Sequence, residues 1–193
     1  MTPSLLALLA DVDVDAIGSY DAISVGLLIL RVVTGLSVAA HGWNKFFGGG
    51  KIPGTANWFE GMGMRPNGKV HAILAASTEL GGGVLFAVGL LTPLAAAGIV
   101  GLMVVAGWTT HRDKGFFIVK GGWEYNLILA TVAVGVATIG PGRYSLDWVA
   151  GIEPAFDPNL GLAVSAGLGI VAGVGLLAAC YRPPAPEPDD GGT

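Results

Sequence analysis

A chain of 193 residues that is 52% hydrophobic and only 12% charged, with a mean hydropathy of +0.66, falls well below the roughly 25% charge of a soluble domain. It reads as one unit embedded in lipid. Its net charge of −4 includes no basic stripe, which argues against nucleic-acid binding, and its single cysteine, Cys180, excludes an intramolecular disulfide, a CxxC redox pair and a multi-thiolate metal site.

Residues 1–21 form an acidic leader carrying Asp11, Asp13, Asp15 and Asp21. Its apolar stretch at 4–10 has no basic region before it, so a short interfacial helix or a disordered leader is expected rather than a cleaved signal. Five apolar segments follow that approach the roughly 20 residues needed to cross a bilayer core: 22–41, 71–91, 93–110, 123–139 and 158–181. Only Leu91-Thr92-Pro93 joins the second to the third, which predicts a tight antiparallel hairpin. The longest connection, 46–70, carries Trp58, Phe59 and Met62 at the spacing of one helical turn. Within it, 54–63 reads either as a short helix lying at the membrane interface or as a Gly-rich loop. In the last segment Ser165, Gly169 and Gly173 recur at fourfold spacing and allow close helix contact, within the bundle or with another subunit. The tail, 182–193, is acidic and Pro-rich and cannot build a core.

With five spans, Lys45, Lys51, Arg65, Lys69, Arg112, Lys114, Lys120 and Arg182 share one side, and only Arg143 lies on the other. The positive-inside rule then places the basic loops and C-terminus in the cytoplasm and the N-terminus outside.

Ionisable residues at membrane depth are candidates for function because burying their charge in lipid is costly. Arg31 and Glu79 stand deepest, about 13 Å and about 12 Å into their segments from opposite ends at 1.5 Å per residue, and are expected to pair across the first two helices. Toward the basic end lie His41, Lys45, His71 and His111, with Glu124, Tyr125 and Asn126 opening the fourth segment. Converging, they would form a polar cavity open to the cytoplasmic interface. Gly42 and the run Gly81-Gly82-Gly83 would let a helix or a flat ligand approach the backbone beside Glu79. Three functions fit such a cavity: holding and exchanging protons with a quinone head group, binding metal or haem, or lining a solute path. Metal and haem are disfavoured by the absence of paired histidine spacing, and a transporter by the absence of an inverted repeat. A purely structural role, with these groups locking the bundle, stands beside them.

The stretches LRVVTGLSVAAHGWNKFFG at 30–48, TELGGGVLFAVGLLTP at 78–93, WEYNL at 123–127 and GPGRYSLD at 140–147 resemble the DoxX family of small bacterial membrane proteins, which includes the DoxD-type subunit of thiosulfate:quinone oxidoreductases. The resemblance covers about 22–147 and carries over Arg31, His41, Gly42, Lys45, Glu79, Gly81, Gly82, Glu124, Tyr125 and Asp147. It implies an all-α four-helix membrane core in a bacterial cell membrane, within a redox or stress-protection assembly. Segment 148–181, with its extra span, and the tail are additions to that pattern; the extra span could dock a partner or a second copy. The resulting expectation is an accessory membrane subunit of a quinone-linked redox or thiol-stress protection system, contacting lipid and redox partner proteins. A structural or lipid-binding membrane protein without a redox role is the alternative.

Overall fold

The computed structural model describes residues 20–183; the acidic leader up to residue 19 and the tail from 184 fall outside the described residues. Four helices are long and apolar enough to cross a membrane: α1 (Tyr20–Phe47), α3 (Gly68–Val88), α4 (Thr92–Lys114) and α7 (Pro158–Cys180). A fifth apolar helix, α5 (Glu124–Ile139), has 16 residues and measures about 24 Å at 1.5 Å per residue. Two short α-helices lie between these among the described residues, α2 (Lys51–Gly61) and α6 (Leu146–Val149). The described residues contain no strand, only an isolated bridge between Met64 and Tyr181. The protein is an all-α membrane bundle.

Small residues set how closely the helices approach. Gly35 of α1 and Gly83 of α3 cross reciprocally: a Cβ on either would lie 2.5 Å from the other's carbonyl oxygen. A Cβ on Gly42 would lie 2.4 Å from the Leu80 nitrogen. The expected glycine run contributes only its last member to this face. A Cβ on Gly81 would meet nothing within 4 Å, and one on Gly82 only the Ala95 oxygen at 3.8 Å. Consecutive helical residues point about 100° apart, so three in a row cannot face one neighbour. On α7 the Ser165, Gly169 and Gly173 strip faces α4, where Gly169 abuts Ala97 and Val100 and Gly173 abuts Gly101 and Val104. Its close contacts lie within the chain.

The hairpin between α3 and α4 is tight, as its three-residue junction requires. Gly89 adopts φ +67°, Leu90 N donates to Leu85 O at 2.9 Å and Gly89 N to Phe86 O at 3.2 Å. This pair of bonds closes the helix end in the Schellman arrangement that favours glycine. Segment 46–70 is helical over Lys51–Gly61. Its Phe59 and Ala56 are buried with Met64 and Ala72, packed against Leu176 and Tyr181 of the chain's end, while Trp58 stays half-exposed. This helix therefore closes one end of the bundle. Arg65 N donating to Cys180 O, and Arg182 N to Gly63 O, both at 2.8 Å, tie the end of α7 to the same segment.

Candidate functional site

The two deepest charges do not meet. The antiparallel register set by Gly35 opposite Gly83 and Gly42 opposite Leu80 places Glu79 level with the residues around Gly42, and Arg31 level with Ala87. Along the axis the two groups stand roughly 15 Å apart, two to three turns. The expected Arg31–Glu79 pair is replaced by two separate arrangements, one at each end of the bundle. α1 runs past its apolar segment to Phe47, and α3 spans Gly68–Val88 in place of 71–91, so depth counted from the edge of an apolar run misplaces the register.

At the end away from the basic loops, Arg31 is fully buried. It donates from Nη1 to Ala87 O at 3.0 Å and from Nη2 to Tyr144 O at 2.7 Å. The nearby opposite charge is Asp147, also fully buried, whose carboxylate accepts from Leu91 N at 2.7 Å, Thr92 N at 3.0 Å and Thr92 Oγ1 at 2.7 Å. Leu91, at the start of α4, has no side chain able to cap the helix, and Asp147 supplies that cap from far along the chain. Asp147 N in turn donates to Gly89 O at 2.8 Å. A Cβ on Gly89 would strike Arg31 Nη1, so this glycine is required twice, for its backbone angle and for room. Exposed beside this clamp, Arg143 donates to Asp21 Oδ1 at 2.6 Å, and that hydrogen bond with the Asp21 charge holds its pKa above the ordinary arginine value. The clamp fastens α1, the hairpin and the loop before α6 to one another, and leaves Arg31 Nε buried without a partner.

Toward the opposite end a cavity of about 490 Å³ opens between α1, α3, α4, α5 and α7, with Phe59 of α2 and Met64 at its base. Most of its lining is apolar, and the polar exceptions converge. Lys45 Nζ donates to Glu79 Oε1 at 2.7 Å and Oε2 at 2.6 Å, with the two side chains only 19% and 13% exposed. His41, His71, His111, Thr78, Thr109, Thr110, Tyr125 and Asn126 line the same space. Two stretches of π-helix carry several of these groups: Thr78–Gly82 presents Glu79, and Gly107–His111 presents Thr109, Thr110 and His111. Such wide turns are frequent at functional sites because they re-aim side chains without ending the helix.

The sequence-selected residues distribute as follows. His41, Lys45, Glu79, Tyr125 and Asn126 line the cavity; Arg31 belongs to the clamp. Glu124 lies outside the cavity lining, and its Oε2 accepts from Ile118 N at 2.9 Å, tying down the basic loop before α5. Asn126 Nδ2 lies 3.6 Å from Met103 Sδ. The contribution of Phe59, Met64, Met103 and Leu176 to the walls was not evident from the sequence, since apolar side chains carry no signal of which cavity they face. Among the described residues, no group of three or more His, Cys, Asp or Glu side chains is arranged to hold a metal ion.

The histidines are held differently. His71 is 5% exposed and its Nε2 lies 2.8 Å from the Arg65 carbonyl oxygen. Its Nδ1 is buried without a partner. His111 Nδ1 lies 2.6 Å from the Gly121 carbonyl oxygen. A carbonyl only accepts, so each contacting nitrogen carries the hydrogen and the other ring nitrogen of a neutral imidazole is left as an acceptor. His41 is exposed at the cavity's mouth.

Fold and site together define a small multi-span membrane protein with a half-enclosed, mainly apolar cavity whose polar groups gather at one end. The DoxX family model matches residues 26–112. Over 123 residues the chain is 32% identical to the Bacillus subtilis (strain 168) protein named "Putative oxidoreductase CatD", an alignment covering 64% of this chain and 85% of that one. The chain belongs to the DoxX family. No solved structure matches it at a significant level.

Proposed function

We propose that this protein is an accessory membrane subunit of a quinone-linked redox or thiol-stress protection system, and that its cavity holds the head group of a quinone-class carrier. The observation that carries this reading is the cavity itself. About 490 Å³ of mostly apolar space, walled by Trp58, Phe59, Leu102 and Leu176, ends on the Lys45–Glu79 pair and three histidines. Ligand sites in proteins typically combine an apolar enclosure of this size with a few convergent polar groups. A flat ring with oxygen at opposite edges and an apolar tail matches both parts. The name of the Bacillus subtilis relative supports a redox setting. The basic loops gather at the cavity's end of the bundle, and by the positive-inside rule this supports a cytoplasmic placement of that end.

The test is to purify the protein in mild detergent and extract what remains bound. Near-stoichiometric quinone, reduced severalfold in His41→Ala and Glu79→Gln preparations that remain monodisperse, supports the reading. Phospholipid alone in all three preparations overturns it and favours a lipid-binding or structural role.

A further inference from the structure

The cavity reaches the outside of the bundle at two places of opposite chemistry. A side chain that lines the cavity and is also exposed stands at a mouth, and such residues fall into two sets. His41 of α1, Tyr125 of α5 and Ile118 of the basic loop form one, with two polar members. Trp58 of α2, Leu74 of α3 and Ala172 of α7 form the other, and its members on the spanning helices are purely apolar. Leu74 lies six residues past Gly68 and Ala172 eight before Cys180. At 1.5 Å per residue, the second mouth therefore stands about 9–12 Å in from the basic end, a depth at which a spanning helix is surrounded by acyl chains.

The second mouth follows from how α3 and α7 sit on α4. α3 meets α4 at Gly98, where a Cβ would lie 3.2 Å from Thr78 Cγ2, and α7 meets it at Gly101, where a Cβ would lie 3.3 Å from the Gly169 oxygen. These contact points are three residues apart and so are neighbours on one helix face. Both glycines line the cavity, as do Ala75 and Gly173 on the flanking helices, so the seam between α3 and α7 is floored by bare backbone and walled by small side chains. It leads straight to the polar end. Thr78 and Glu79 follow Leu74 and Ala75 by four residues on the same side of α3, and all four line the one cavity.

We infer that the cavity is loaded sideways from the bilayer through this seam, which holds the apolar chain of the ligand while its ring lies against Lys45 and Glu79. The inference rests on the quinone-class reading above and adds the route of entry and the seat of the tail. A phospholipid keeps its head at the membrane surface, so its acyl chain would fill the seam and leave the polar chamber empty. A carrier with a ring at one end of an apolar chain fills both.

The test plugs the seam. Ala172→Trp adds a large apolar side chain on a rim that already meets lipid, and Leu74→Trp narrows the seam from its other side should the first variant fail to fold. Val171→Trp, at a position 69% exposed and outside the cavity lining, is the control. Two fully substituted benzoquinones share one ring, one carrying a single isoprene unit and one carrying several; each is measured as quinone retained by the full chain in the same mild detergent. Comparing variant with wild type for each probe cancels partitioning into micelles. Ala172→Trp should weaken the long-chain probe about tenfold, the worth of a steric misfit in a packed site, and change the short one by less than about twofold. Val171→Trp should change neither. Unchanged long-chain binding in the plugged variants, or equal loss of both probes, overturns the seam and leaves the quinone-class reading standing. Bound phospholipid that disappears in Ala172→Trp while both probes still bind as in wild type assigns the seam to a lipid and overturns it as well. Wild-type protein that retains neither probe overturns both readings.

Discussion

Asp147→Asn is the sharpest probe of how the bundle is fastened, because it exchanges a single heavy atom in a fully buried clamp and leaves the cavity untouched. Both carboxylate oxygens are engaged, Oδ1 by Leu91 N and Oδ2 by Thr92 N and Thr92 Oγ1. The Thr92 hydroxyl can turn round, but the asparagine amide must face at least one backbone N–H, donor against donor. An unsatisfied buried group of that kind costs about 1–3 kcal/mol. The substitution also removes the negative charge near Arg31, whose guanidinium is itself fully buried and held by two carbonyls. Arg31 and Asp147 lie beyond salt-bridge distance of each other, and at an effective dielectric near 20 such a charge pair is worth about 2–3 kcal/mol. The two effects overlap, and a net loss of about 3–4 kcal/mol is expected. For a chain of this size that lowers the unfolding midpoint by about 10 °C. Cys180 is the protein's sole thiol, so a thiol-reactive fluorophore can follow thermal unfolding in detergent. The double variant Arg31→Met with Asp147→Asn should be milder than the two single losses added together, by at least about 1 kcal/mol. A midpoint within about 2 °C of wild type for Asp147→Asn, or strict additivity in the double variant, would refute the clamp.

Gly83→Ala should cost about 2 kcal/mol or more, read as a lower melting midpoint, since its Cβ would press on the Gly35 carbonyl at 2.5 Å. Gly81→Ala, two residues away with open space around it, should be neutral or stabilise by about 0.5–1 kcal/mol through helix propensity; if both variants behave alike, the crossing is misplaced. Lys45→Met leaves the Glu79 carboxylate unpaired in a site 13% exposed and should lower stability by about 1–3 kcal/mol, with Glu79→Met in the same chain recovering most of it. No recovery in that double variant would mean the pair is not the source of the loss. Gly89→Ala meets both a backbone angle of φ +67° and the Arg31 guanidinium, and should cost at least about 2 kcal/mol by the same melting assay.

Much of this protein was legible before any coordinates. Lipid leaves a spanning chain little choice but helix, so long apolar runs fix the class of fold, and a three-residue junction fixes a hairpin. Resemblance added Asp147 to the residues of interest, because the stretch GPGRYSLD carries it. The polar residues that line the cavity were also largely visible, since polar side chains near the ends of apolar runs are few and conspicuous. Their pairing was not. Arg31 and Glu79 lie at similar counted depths, yet Gly35, Gly42 and Gly83 fix a register that sends Arg31 to the hairpin and Glu79 to Lys45. Nothing in the local sequence weighs one glycine contact against another.

The sequence by itself determined the solvent of this chain, the number and order of its apolar segments, and which charges are too deep to stand alone. Tertiary structure decided the partners of those charges, the assignment of Glu124 to a loop, and the separation of a structural clamp from a cavity. The physical reason is that burial in lipid is a property of each segment, whereas register is a property of two surfaces in contact. A helix offset of one or two turns leaves every segment equally apolar and changes every polar partner.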